Sequence, residues 1–363
     1  MTDGVQIAAE VFDRRIDAVC EGMNREGLGA FVVTNPDNVR YLTGFPWGVH
    51  SYLLVTSAGE TVLVVRPTEY QQAVEESRVT RIILADVDPI EKHLAAEIDG
   101  MDRVGFEPHF LSTASLDRLS KFQRRELFVA LPDLVTEMRA IKEPWEVDLI
   151  HQACRIFDRL MEKIVPGLET GMSEIEILAQ IEHGARLEGA DGFWFPSIVL
   201  SGPRSAQPHG IPSARRVQQG DFLKVDLGPT FSGYASDATR TLAFGTPSAR
   251  MEEVYGVVHR AQLAALDACG AGVPCSEVHN TAAAVIDEAG YGRYFNHPVG
   301  HGVWGPPLVG GESGRLLEEG MVITVEPGIY IPGWGGVRIE DSVLITAEGC
   351  EILHSYTKDL VVV

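Results

Sequence analysis

The stretch at 222–241, FLKVDLGPTFSGYASDATRT, constrains this chain more than any other. Its flanks LKVDLG and YASDATRTLAF read as strands, and Gly228-Pro229-Thr230-Phe231-Ser232-Gly233 carries the breakers that join antiparallel strands. The hairpin sets Asp226 and Asp237 eleven residues apart, and its register decides which face each carboxylate takes. Two inward carboxylates on one face repel at neutral pH unless a cation lies between them or one is protonated. Taken alone the pair also has a plainer explanation, in which one Asp caps the turn and the other is solvated.

A chain of 363 residues with 45% hydrophobic content can bury a large core, divided among two or three domains or one large and one smaller. The formal charge of −21 argues against nucleic acid and anionic membrane as partners, since both select basic patches. Cys20, Cys154, Cys269, Cys275 and Cys350 are scattered without CxxC spacing, as expected of reduced thiols in a cytoplasmic protein. The first residues mix acids and bases without an apolar core and are not expected to act as a secretory signal. No run of 18 apolar residues is present, so no membrane-spanning helix is expected.

The first third reads as an α/β domain. Residues 8–27 repeat apolar side chains at helical spacing (Ala8, Val11, Ile16, Val19, Met23), and Gly27 with Gly29 ends the run. AFVVT at 30–34 reads as a buried strand, NPDN at 35–38 as a turn, and 51–56 with 60–65 as a hairpin. Helices at 67–77, 88–98 and 112–126 alternate with strands at 80–85, 104–107 and the run LFVAL, which implies a mostly parallel sheet covered by helices. No GxGxxG follows any of these strands, which argues against a dinucleotide site. The segment 38–50, NVRYLTGFPWGVH, reads as a loop that either meets a partner or substrate or packs as an apolar plug.

A helix opening at Pro144 leads into a second domain, with Trp145, Leu149, Ala153, Ile156, Leu160 and Ile164 as its core stripe. Ser173 and Glu176 form a capping box for a helix at 173–189. A strand at 195–202 and a basic loop at 203–219 carrying His209 precede the central hairpin. Helices at 248–270 and 276–289, the second capped by Ser276, precede strands at 321–326, 337–346 and 350–354. Two helices followed by a hairpin thus occur twice, at 146–244 and 248–346, a pattern that hints at internal duplication.

The remaining chemistry clusters at strand ends. His297 and His301 lie in FNHPVGHGVW, Glu326 ends the β run MVITVEPG, and Glu340 sits in the alternating VRIEDSVLI beside Asp341. Alternation sends one of those two acids to the opposite face, where water is the default. Singly, each residue has an ordinary explanation as a surface or solvated group. Together, two Asp, one His and two Glu on an apolar β scaffold suit two hard or borderline divalent cations. Such a pair would generate a hydroxide nucleophile at neutral pH and clamp an oxyanion, which suits amide hydrolysis.

The motifs MRAIKEPWEVDLIHQAC, SGPRSAQPHG, GDFLKVDLG, GYASDATRT, HPVGHG, ITVEPGIY and VRIED make the sequence similar to the creatinase/prolidase family over nearly all its length. That resemblance implies an α/β N-terminal domain at 1–133 and an α+β pita-bread catalytic domain at 134–363. It implies that Asp226, Asp237, His301, Glu326 and Glu340 hold a dinuclear centre, with Asp237 and Glu340 touching both ions. The expected cofactors are two divalent ions, Mn²⁺ or Co²⁺ first, with Zn²⁺ or Fe²⁺ as alternatives. The resemblance also implies that Glu326 shuttles the proton, His209 faces the substrate, His297 sits near the scissile bond, and Arg338 braces the site. Tyr330 matches an active-site tyrosine of the proline-specific members. A homodimer is implied, in which the segment 38–50 reaches the neighbour.

One departure stands out. Proline-specific relatives carry a further histidine seven residues after the metal histidine, and here that position is Leu308, in GHGVWGPPLVGGE. Trp304 and Pro306-Pro307 are expected to reshape the pocket wall. The function expected is a metal-dependent hydrolase cleaving the Xaa-Pro bond of dipeptides or short peptides through a dinuclear metal-bound hydroxide. The alternatives are a hydrolase or lyase of a small nitrogenous or zwitterionic metabolite, suggested by Leu308, and a non-catalytic binding protein.

Overall fold

The computed structural model describes residues 7–363 except Trp47, and only the backbone of Val49. Trp47 and residues 1–6 of the sequence reading therefore lie outside the described residues. The chain divides into two compact units between Arg139 and Ala140.

The first unit is a six-stranded sheet with helices. Its strands are β1 (Ala30–Val33), β2 (Tyr52–Thr56), β3 (Thr61–Val65), β4 (Arg81–Leu84), β5 (Val104–Phe106) and β6 (Phe128–Ala130). The order is β4-β3-β2-β1-β5-β6, with β2 antiparallel to both neighbours and every other pairing parallel, so the mostly parallel sheet is present. The helices are α1 (Ala9–Glu26), α2 (Pro36–Thr43), α3 (Pro67–Glu76), α4 (Ile90–Glu97), α5 (Thr113–Leu119) and α6 (Leu134–Met138). In α1, Val11, Ile16, Val19 and Met23 are buried as the spacing requires, and Gly27 ends the helix in the left-handed region at φ 64°.

Three expectations change here. Residues 36–43 form α2 and not a turn and loop, because Asn35 caps the Asp37 N–H at 3.0 Å and Pro36 takes the first helical position. The helix expected at 112–126 stops at Leu119. The division falls six residues past the expected boundary at 133/134. Here α6 packs on α1 at Gly22, where a Cβ would lie 2.4 Å from Leu134, and Arg139 donates to Asn38 at 2.8 Å.

The second unit pairs helices with small sheets. Its helices are α7 (Pro144–Ile164), α8 (Glu174–Leu187), α9 (Ala249–Asp267) and α10 (Cys275–Glu288). Strands β7 (Gly192–Phe193), β8 (Ile198–Ser201), β9 (Phe222–Leu227), β10 (Pro229–Phe231), β11 (Tyr234–Ala235) and β12 (Ala238–Ala243) precede α9. Strands β13 (Gly300–His301), β14 (Leu308–Val309), β15 (Val322–Val325), β16 (Gly328–Ile331), β17 (Gly335–Arg338), β18 (Asp341–Thr346) and β19 (Gly349–Ile352) follow α10. α7 and α8 bury Ile156, Leu160, Ile177 and Ile181 against Val199, Leu223 and Val225 of the β12-β9-β8 sheet. α9 and α10 bury Val254, Val258, Val278 and Ile286 with Ile323, Val325, Val343 and Ile345 of the β15-β18-β19 sheet. Each half thus covers one face of its sheet with two helices. Ser173 forms its capping box, whereas α10 starts at Cys275 with Pro274 at the N-cap and not Ser276.

Candidate metal centre

Strand register collects the central acids. Asp226 in β9 pairs across to Thr239 in β12, so both side chains share one face, and Asp237 stands two residues before Thr239 on that same face. Glu340 follows β17, and its carboxylate accepts from the Thr239 hydroxyl at 2.6 Å. Glu326 follows β15, and the Thr324 hydroxyl bonds it at 3.3 Å. That hydroxyl also accepts the His301 N–H at 2.9 Å, which fixes β13 beside β15. The approach demands glycine, since a Cβ on Gly300 would lie 1.9 Å from the Thr324 carbonyl oxygen.

All five acids and imidazoles expected as ligands meet on one cleft of about 710 Å³. His301 Nε2 lies 3.6 Å from Asp237 and 3.4 Å from Glu326. Asp237, His301 and Glu340 each offer a ligand atom, all within 4.8 Å of one another. The charge balance asks for cations. Burial, then the neighbouring carboxylates, raises the pKa of Asp237 and of Glu340 well above the ordinary range. Burial pushes Glu326 up to about 7, against the opposing pull of Arg338. Asp226 pairs Arg338 through one oxygen, while its buried Oδ1 has no hydrogen-bond partner. Four carboxylates with one imidazole and an orphaned carboxylate oxygen fit divalent cations.

Arg338 is the brace behind this cluster. Its guanidinium reaches Asp226, Thr239 at 2.9 Å, Tyr330 at 3.0 Å and the Pro208 carbonyl at 3.2 Å. Tyr330 in turn bonds His297 Nε2 at 2.9 Å, and His297 Nδ1 lies 2.6 Å from the Pro298 carbonyl. A carbonyl only accepts, so Nδ1 carries the proton, and Nε2 accepts from the Tyr330 hydroxyl. Burial and then the Arg338 charge push the His297 pKa down to about 3, consistent with a neutral ring. His209 lines the cleft and is exposed.

Lys224, Thr239 and Thr324 were not singled out from the sequence. Lys224 stands two residues before Asp226 in β9, so alternation alone puts it on the same face. It is fully buried, its Nζ donates to the carbonyls of Gln207 and Pro208, and it lies 5.1 Å from the Tyr330 ring centre. Burial and then Arg338 lower its pKa well below the ordinary value. Asp341 faces away from the site, but not into water. It is fully buried, bound by Arg240 and Gln262 at 2.7 Å each and by Lys358 at 3.3 Å. Trp304 does not join the pocket wall either. It is buried, its ring tilted against Tyr234 with centroids 4.5 Å apart, and of residues 304–308 Leu308 lines the cleft with 59% of its surface exposed.

Carboxylates and an imidazole gathered on paired β layers, in a chain that also carries an α/β unit, define a metallohydrolase of the pita-bread fold. Residues 148–347 match the profile of metallopeptidase family M24, and residues 15–141 match the creatinase/prolidase N-terminal domain. The chain belongs to this family, as its motifs implied. It is 35% identical over 358 residues to an Xaa-Pro dipeptidase of Pyrococcus horikoshii, covering 97% of this chain and 100% of that relative. Its structure superposes on that of an Xaa-Pro dipeptidase from Bacillus anthracis with TM-score 0.91, at 33% identity, covering 98% of this chain and 100% of the other. An X-Pro aminopeptidase from Thermotoga maritima superposes with TM-score 0.88 at 33% identity, covering 96% and 99%.

Proposed function

We propose that the chain hydrolyses the peptide bond preceding proline in dipeptides or short peptides, as an Xaa-Pro dipeptidase or close relative. The convergence of Asp226, Asp237, His301, Glu326 and Glu340 on one buried cluster carries this reading. These five residues would hold two divalent cations, Mn²⁺ or Co²⁺. Cations bound there lower the pKa of water toward neutrality and offset developing negative charge on a carbonyl oxygen.

The chain's own residues supply the rest. Glu326 takes a proton from the attacking water at a carboxylate oxygen and delivers it to the leaving imino nitrogen. Arg338 holds Asp226 and Tyr330 in place, and Tyr330 orients the neutral His297 ring at the cleft wall. Trp194, Phe195, Ile198 and Leu308 give the cleft apolar walls that suit a proline ring and exclude water. His209 lines the same cleft, where it meets the bound peptide. A cytoplasmic homodimer belongs to the same reading, and sedimentation of the purified chain tests its second half.

Leu308 favours a second reading, a hydrolase or lyase of a small nitrogenous or zwitterionic metabolite, because it offers no hydrogen bond where the proline-specific members have an imidazole. Turnover of a panel of Xaa-Pro dipeptides and tripeptides, run with Mn²⁺ or Co²⁺ and with metal content measured, separates the two. Metal-loaded protein that cleaves none of them overturns the first reading.

A further inference from the structure

A second cleft, of about 420 Å³, lies wholly within the N-terminal unit. It sits where the sheet predicts a ligand. The chain runs β1 to β4 toward one edge, then returns to place β5 on the other side of β1. The crevice outside the carboxyl ends of strands at such a reversal is the usual ligand position in open α/β sheets. Thr34 follows β1, Arg66 follows β3, and Leu111 lies beyond β5, while Ser51 precedes the antiparallel β2. The register brings these together, since Val33 pairs with Leu53 and Tyr52 with Val64.

The polar groups in this cleft are incompletely satisfied. Ser51 is 2% exposed, and its buried hydroxyl has no hydrogen-bond partner; the buried Thr34 hydroxyl has none either. Buried hydroxyls are nearly always paired, so two orphans lining one cavity call for a missing partner. Glu91, the one acid of the lining, is bonded by Arg118 at 2.6 Å and by the Tyr52 hydroxyl at 3.3 Å. The Arg66 guanidinium has no partner among the described residues. Two guanidinium groups against one carboxylate leave a single positive charge, with two hydroxyl donors and the apolar flank of Ile90 and Leu111.

We propose that this cleft binds a small organic monocarboxylate, its carboxylate on Arg66 and the hydroxyls of Ser51 and Thr34. A guanidinium fork matches a planar carboxylate, and the single excess charge suits a monoanion better than a phosphate dianion. The site is independent of the peptidase reading, because none of its residues belongs to the metal cluster.

The test is a calorimetric titration of the metal-loaded full chain with sodium propionate, and with inorganic phosphate as the contrasting anion. Propionate is expected to bind more tightly than phosphate. Arg66→Met is expected to weaken propionate at least tenfold and Ser51→Ala several-fold, with kcat/KM on an Xaa-Pro dipeptide and the melting temperature unchanged. Arg66→Lys is expected to recover part of the affinity, since it restores the charge without the fork. Propionate heats identical in Arg66→Met and the parent would overturn the assignment, as would tighter binding of phosphate. So would a rise in peptide KM in Arg66→Met that matches the loss of propionate affinity, because the cleft would then serve the peptide.

Discussion

Removing the metal should make the stability of the catalytic unit fall as pH rises, in the range where most proteins are insensitive. Glu326 keeps its proton up to about 7 in the folded cluster, against an ordinary value of 4.5. Between those values the folded chain binds more protons than the unfolded one, so folding weakens as pH increases. At roughly 1.4 kcal/mol per pH unit, Glu326 alone accounts for about 3 kcal/mol lost between pH 4.5 and 7. Asp237 and Glu340 are raised in the same direction and deepen the loss. Bound cations favour the ionised carboxylates and remove this slope. The assay is scanning calorimetry of chelator-stripped and Mn²⁺-loaded protein at pH 5, 6, 7 and 7.5. Roughly 2.4 kcal/mol of that falls between pH 5 and 7.5, so the gap between their melting temperatures is expected to widen by about 5–10 °C, from 2–4 °C per kcal/mol for a unit of this size. Taking the difference cancels the titration of groups far from the cluster. Curves that run parallel from pH 5 to 7.5 would refute the reasoning, because the acids would then not be crowded at one point.

Further outcomes can be checked by mutation. Glu326→Gln is expected to lower kcat/KM on an Xaa-Pro dipeptide by about 10²–10⁴ while the circular dichroism spectrum is preserved. Lys224→Met removes the Nζ donors to the Gln207 and Pro208 carbonyls and loosens the His209 loop. KM is expected to rise about tenfold and stability to fall by about 0.5–1.5 kcal/mol, since the Gln207 carbonyl loses its donor. Asp341→Asn strips one partner from Arg240 and Lys358 and is expected to cost about 3–5 kcal/mol in urea unfolding. The Asp341 pKa is held down to about 2, so its contribution is present above the unfolded value near 3.8 and is lost only as pH falls toward about 2. Leu308→Ala is expected to lower kcat/KM about tenfold on Leu-Pro and Gly-Pro alike, from about 0.8 kcal/mol per methylene that covers the shared proline ring.

The legible part of this chain was whatever local spacing encodes. The apolar stripe of α7, the capping box at Ser173 and the left-handed Gly27 each depend on residues within a turn or two of one another. The second residue of NPDN shows the limit of that method. The same four letters serve a turn and a helix start, and the choice of α2 rests on an Asn35 cap whose backbone is itself tied to Glu107, more than seventy positions away. The burial of Asp341 was equally hidden. Alternation turned it away from Glu340 correctly, but the Arg240, Gln262 and Lys358 that await it come from elsewhere in the chain.

By itself, then, the sequence determined the types of element, the face each acid takes on its own strand, and the donor set that family membership makes meaningful. Tertiary structure alone decided that Lys224, which alternation already turns to the acids' face, is buried and pins a loop, that His297 is occupied by Tyr330, and that Trp304 packs inward, leaving Leu308 at the cleft. The reason is physical: side-chain parity is a property of one strand, whereas burial and partnership depend on which strands and helices close over it.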